Sequence, residues 1–356
     1  MDMYLGFVVL EGLLAVAIIS TNLLVCATVY LHKELRHVTN CLLLCLALAD
    51  LGVGALAIPF SMVLSMGYTL CFYTCLFLTC FPLVTTQFSI LLLLVIAVNA
   101  HLKIRLPNSY ATHMKKRRVM VLVAFCWFLS LLIGLSPMMG WNRFEQYVEA
   151  RNRTVAFSFA SERAAFVILA HDLPYTGFLS KVYPGPRQVF NDSGVHHGHI
   201  GRCSFTSVFS PEYLVYFVFF TCTLLPLAAM LGIYTDLFRV VRGHFHQSQA
   251  LWATKRGEIQ TARTLFLLVG VFCICWLPLH VIYCLQLLCP SCPTYQSLDR
   301  LAVLLSHMNS LANPLIYALR KKDFGRALHS VLLHHVLRWP RLRARCCPNS
   351  KVHPLT

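Results

Sequence analysis

Asp50 stands in the middle of an apolar run, Leu46-Ala47-Leu48-Ala49-Asp50, where no water is at hand to solvate a carboxylate. Polar groups inside such runs are expensive and mark functional positions by default. Ser89, Asn309 and Asn313 sit in other apolar runs and offer neutral oxygens. One carboxylate among neutral oxygen donors suits a small hard cation such as sodium. The same four groups would serve equally as a hydrogen-bonded knot between helices, and the residue types leave both readings open. A proton relay would need a chain of acids and bases, yet no Asp or Glu occurs between Asp50 and Glu145. Glu11, Asn22, Thr85, Thr86, Gln87, Ser306, His307 and Ser310 are further polar residues in apolar surroundings.

Enzymatic chemistry finds little support. There is no glycine-rich phosphate loop, no HExxH and no GxSxG, so the chain is not expected to be an enzyme. Cys289 and Cys292 have CxxC spacing, but on an oxidising surface a local disulfide is favoured over a metal or redox site. The pair His196-His197 reads as part of a solvated loop rather than a metal site.

These groups must be held by elements that tolerate an apolar solvent. The 356 residues are 57% hydrophobic and only 12% charged, more apolar surface than a soluble domain can hide. A helix needs about 20 apolar residues to cross a bilayer core. Seven stretches qualify, at about 5–31, 40–66, 72–102, 118–140, 212–238, 262–288 and 300–319, the last weakened by His307, Asn309, Ser310 and Asn313. The fold class is therefore all-α, a membrane-embedded seven-helix bundle, with the lipid bilayer as the main partner. The first apolar run is long enough to act as an uncleaved signal anchor. Most of the sixteen cysteines lie within apolar runs, where Cys behaves as a small hydrophobe.

The net charge of +16 is no sign of nucleic-acid binding, because its placement follows topology. Lys33 and Arg36, the run Lys115-Lys116-Arg117-Arg118, then Lys255 and Arg256, and finally Arg320-Lys321-Lys322 fall in alternate connections. The positive-inside rule puts these in the cytoplasm and the N-terminus outside, as expected of a multi-pass plasma-membrane protein. The bundle then covers residues 1–320, with a long outer loop at 141–211. That loop holds two glycosylation sequons, Asn152-Arg153-Thr154 and Asn191-Asp192-Ser193. Residues 321–356 form a cytoplasmic segment. In it Phe324, Leu328, Val331, Leu332 and His335 fall near one face of a short amphipathic helix. Cys346 and Cys347 follow a basic stretch suited to palmitoylation. Pro226, Pro278 and Pro314 fall within the last three spans and remove backbone hydrogen bonds there, which favours a movable inner half.

A set of motifs at fixed spacings now stands out: Asn22, Leu46 to Asp50, Trp127, Pro226 with Tyr234, Cys275-Trp276-Leu277-Pro278, and Asn313-Pro314-Leu315-Ile316-Tyr317. With them the chain resembles a rhodopsin-like G-protein-coupled receptor over nearly its whole length. Within that family, 72–77, 137–142, 261–266 and 305–310 are similar to an adenosine receptor of the A3-like kind. The resemblance implies a Cys75–Cys203 disulfide. It implies that Phe205 stacks on an adenine ring, with Leu279, Trp276 and His280 as floor and wall and Leu83 and Tyr283 completing the set. Thr86, Ser306 and His307 would meet the ribose, and Glu11 would orient His307. A flat, neutral, polar-edged nucleoside needs an aromatic face and hydrogen bonds. An amine would need a carboxylate in the outer third helix, which has Pro82 and Leu83 instead.

Three departures from the family pattern matter. Asn99-Ala100-His101 replaces Asp-Arg-Tyr, so Glu258 has lost the arginine that would pair with it and engage a heterotrimeric G protein. The asparagine expected to hold the adenine edge is Tyr283, with Thr206 at a position often acidic. The loop before Cys203 is unusually long. The resemblance implies a receptor for adenosine or a related purine, signalling through inhibitory G proteins and carrying at most an allosteric sodium ion. The altered triplet supports an alternative, a receptor-fold protein without normal coupling that acts as a ligand sink or as a homo- or hetero-dimer partner. A transporter reading has only the lone Asp50 and no inverted repeat.

Overall fold

A computed structural model describes residues 2–66, 68–106, 109–110, 114–147, 200–243, 249–289, 291–292 and 295–333. Among the described residues seven long helices make up the bundle: α1 (Asp2–Leu31), α2 (Val38–Ser65), α3 (Phe72–Arg105), α4 (Lys116–Leu135), α5 (Tyr213–Gly243), α6 (Gln249–Leu288) and α7 (Gln296–Arg320). An eighth, α8 (Lys322–Val331), follows directly. The expected spans are all present and mostly run longer. The largest difference is in α6, which starts at Gln249 rather than 262, because helix continues into the polar connection where hydropathy stops reporting it. Among the described residues six helices are long and apolar enough to cross a membrane, by length and composition. The seventh, α7, misses that mark because its buried positions include Ser306, His307, Asn309, Ser310 and Asn313.

The polar residues of α7 are buried against other helices rather than facing lipid, which is how a span this polar is tolerated. It packs on α6 and α1, while α3 is the hub, in contact with α2, α4, α5 and α6. Gly134 of α4 lets that helix close on α3: a Cβ there would run into the Val84 side chain and lie 2.8 Å from its backbone nitrogen. Small residues at such crossings let backbones approach where no hydrophobic drive joins helices.

Two helices depart from α geometry. A π-helical turn, Val53–Ala57, lies in α2 just before Pro59, and the first half of α5, Tyr213–Leu224, is π-helical up to Pro226. Proline lacks an N–H and crowds the preceding turn, so the ladder re-registers ahead of it. Pro82, Pro278 and Pro314 lie inside continuous α-helix.

At one end of the bundle β1 (Thr69–Cys71) pairs antiparallel with β2 (Ile200–Arg202), Thr69 opposite Arg202. Beside them the Cys75–Cys203 disulfide ties the start of α3 to the segment after β2. Cys289 and Cys292 form a second, local bridge at that end. This is called the bridge end; the opposite end, where Arg105, Lys116 and α8 lie, is the basic end. α8 turns back across the basic end, with Phe324, Ala327 and Val331 buried and the Phe324 ring edge-on to Tyr317. His335, expected on the same face, lies outside the described residues.

Candidate functional site

A cavity of about 490 Å³ opens between α3, α6, α7 and the segment after β2. That segment is built tightly. Ser204 caps the turn Phe205–Val208 in a capping box, its hydroxyl accepting from Ser207 N–H while Ser207 Oγ accepts from the Ser204 N–H. The disulfide at Cys203 and the hydrogen bond from Tyr147 OH to Ser207 O (2.7 Å) hold it on either side. Phe205 is thereby presented to the cavity. Its ring lies parallel to that of Tyr283, with centroids 5.8 Å apart and planes 4° from coplanar.

Leu83, Thr86, Phe205, Trp276, Leu279, His280, Tyr283, Ser306 and His307 all line this one cavity. Thr86 Oγ1 donates to Pro82 O (2.6 Å) and Ser306 Oγ to Val303 O (2.7 Å), which leaves each oxygen able to accept. His280 stacks on Phe219 at 4.7 Å. Glu11 does not reach the cavity. It lies fully buried behind His307, its Oε1 3.1 Å from His307 Nδ1 and accepting from Ser61 Oγ at 3.3 Å. The carboxylate therefore fixes the ring orientation of the histidine, and Ser61 of α2 joins the set without any prior sign in the sequence.

Several buried polar atoms around the cavity have no hydrogen-bond partner among the described residues: both ring nitrogens of His280, Trp276 Nε1, and both amide atoms of Gln87. Buried polar groups are nearly always satisfied, so this wall suits a ligand rich in donors and acceptors. Gln87 was visible as an amide inside a span, but the sequence did not show which face it takes. Arg143, Tyr147 and Arg202 also line the cavity and were missed because they lie in a connecting segment with no periodic pattern.

The cavity extends downward to Ser89, Asn309 and Ser310. Beneath it Asn313 Nδ2 donates to Asp50 Oδ2 at 2.8 Å, and Asn22 Nδ2 donates to Ser310 O at 3.1 Å and to Ile18 O at 3.0 Å. The second Asp50 oxygen and Asn309 Oδ1 accept nothing among the described residues. Ser89 Oγ donates to Thr85 O. Asp50 and Asn313 are thus joined beneath the cavity, and both are buried, as are Ser89 and Asn309.

The model of "7 transmembrane receptor (rhodopsin family)" matches residues 21–170 and 183–317. Adenosine receptor A2a of Homo sapiens is 37% identical over 342 residues, 93% of this chain and 73% of that protein. The chain belongs to the adenosine-receptor branch of the rhodopsin family. Adenosine receptor A2a of Equus caballus is 35% identical over 94% of this chain and 74% of its own length. Adenosine receptor A2b of Gallus gallus is 36% identical over 92% and 88%. As a member of this family the chain is a multi-pass membrane receptor, not an enzyme.

The basic end shows where this member departs. Asn99, buried, donates from Nδ2 to Thr39 Oγ1 (3.2 Å) and accepts from Tyr110 OH (2.9 Å), joining α3, α2 and the following connection. Ala100 is buried and has no polar group to offer. His101 and Arg105 both bind Asp236 of α5. Tyr234 is buried with its ring edge-on to Phe266, and Trp127 stacks on Phe88 at 4.0 Å. The Tyr317 hydroxyl has no partner among the described residues. The Glu258 side chain, the sequons at Asn152 and Asn191, the pair His196-His197, and Cys346 and Cys347 lie outside the described residues.

Proposed function

We propose that this receptor binds adenosine or a related purine nucleoside from outside the cell and relays binding to heterotrimeric G proteins of the inhibitory class. The observation that carries the reading is the grouping in one cavity of Phe205, the Glu11-oriented His307 and the unpartnered atoms of His280 and Gln87. An aromatic face with buried donors and acceptors fits a flat, neutral, polar-edged ligand. The names of the A2a and A2b relatives point the same way, while the A3-like subtype rests on the sequence stretches alone. Asn309 and Asp50 would hold an allosteric sodium ion below the ligand. The basic connections and the sequons favour the bridge end outside and the tail in the cytoplasm.

A second reading is favoured by one observation. Where the family has an arginine to engage the G protein, the chain has Ala100, and the neighbouring His101 is engaged with Asp236. A receptor that binds without ordinary coupling, as a ligand sink or dimer partner, fits this. Radioligand binding with a cyclic-AMP assay separates the two. Binding with a fall in cyclic AMP supports the first reading, and binding with no change supports the second. No binding of any purine overturns the first reading and the ligand sink, leaving only the dimer partner of the second. Ala100→Arg should restore coupling if the triplet alone is at fault.

A further inference from the structure

The rim of the cavity carries charge that a neutral nucleoside leaves unused. Arg143, Arg202 and Arg300 line the cavity, opposed by Asp299. Two of these arginines are set on rigid backbone at the two sides of the Phe205 turn. Arg202 ends β2, paired opposite Thr69 and next to the bridged Cys203. Arg143 is fixed by its backbone N–H to Val208 O (3.0 Å). Its Nη1 donates to Thr206 O at 2.9 Å and its Nε to Gln146 Oε1 at 3.1 Å. A guanidinium has five N–H donors, so donors remain on a group already held beside Phe205. Neither Arg143 nor Arg202 meets a carboxylate among the described residues. Thr206, next to the stacking Phe205, brings no negative charge to oppose them.

We propose that the cavity takes a purine nucleoside bearing a carboxylate on the edge of its base, the carboxylate being held by Arg143 and Arg202 at the rim. This rests on the purine reading and deepens it. With the base on Phe205 and the ribose toward Ser306 and His307, the base edge would be the part of the ligand nearest Arg143, whose Nη1 donates to Thr206 O beside Phe205, and Arg202 lines the same cavity. Arginine matches a carboxylate in a two-pronged geometry, and charge-assisted bonds of this kind are about twice as strong as neutral ones. Tyr283, at the position where the resemblance implies an amide holding an unmodified adenine edge, lines the same cavity beside Phe205.

The test is competition binding on membranes holding the full chain, with adenosine, an N6-carboxyethyl adenosine, its neutral amide, and adenosine 5′-monophosphate. The acid should bind roughly tenfold tighter than its amide, and the advantage should shrink as ionic strength rises. Arg143→Gln and Arg202→Gln should each bring the acid-to-amide ratio toward one. Equal binding of acid and amide, while adenosine itself binds, overturns the inference and leaves the purine reading standing. Preference for the 5′-monophosphate over the base-edge acid also overturns it, since the anion would then sit at the ribose end. Failure of all four probes overturns both.

Discussion

The imidazole of His101 lies 2.9 Å from the carboxylate of Asp236, so at the basic end α3 is tied directly to α5. Arg105, one turn further along α3, binds the same carboxylate. Next to Ala100, where the resemblance implies an arginine, the polar side chains of His101 and Arg105 reach sideways to α5. Asp236→Ala should release both partners. About a third of each of the His101 and Asp236 side chains is exposed, so the loss of thermal stability in detergent should be small and should vanish at about 1 M salt. A loss that salt leaves intact would show that packing, not charge, joins the helices there.

Glu11 orients His307 from behind, and its removal should act on binding through the histidine. Glu11→Ala is expected to weaken adenosine binding by about 1–3 kcal/mol, roughly tenfold to a hundredfold. Glu11→Gln, which can still accept from the ring, should lose less. Saturation binding that is equal for both variants would remove the positioning role.

Tyr283 lies parallel to Phe205 in the wall of the cavity. A phenol cannot present an amide's paired donor and acceptor to an adenine edge. Tyr283→Asn should therefore raise adenosine affinity by roughly tenfold to a hundredfold, a gain of about 1–3 kcal/mol. Unchanged affinity would place the adenine edge elsewhere.

Asp50 bonds Asn313 through one oxygen only. If sodium occupies the other side, sodium should lower agonist affinity relative to potassium or choline, and Asp50→Ala should abolish that difference. A sodium effect that survives the substitution locates the ion outside this knot.

Lys321 joins α7 to α8 and donates from Nζ to Asn40 Oδ1 at 3.0 Å. Burial, with Lys103 nearby, pushes its ammonium down to about 8. Between that value and the usual lysine range near 10.4 the unfolded chain binds more protons than the folded one, so stability rises with pH across this window. Below it the penalty of the buried charge is fully present. Lys321→Met should raise the thermal midpoint at pH 7 and flatten its rise between pH 8 and pH 10; a wild-type curve with no rise would contradict the buried charge.

Much of the architecture was legible because bilayer solvation acts on the chain locally. A run of about twenty apolar residues can only be a spanning helix, and that follows from the order of residues without knowing their neighbours. The same locality explains α7: its polar residues weakened the hydropathy signal, and only burial against α1 and α6 shows where they point. The π-helical stretches ahead of Pro59 and Pro226 were not legible, because proline announces a break without stating how the ladder will close around it.

The sequence by itself determined the seven crossings, the family and the residue types available to a ligand, since each of these depends on local hydropathy or on motif spacing. Only the tertiary structure decided which of them meet. Glu11 and His307 are separated by nearly the whole chain, yet lie 3.1 Å apart. Gln87 turned out to face the cavity, and Arg143 and Arg202, from a connection with no periodic signal, came to its rim. At the basic end the substitutions at Asn99, Ala100 and His101 could be read as a missing arginine, but not as a new tie to Asp236. That tie depends on α3 and α5 packing side by side, a relation that long-range packing sets and no local pattern records.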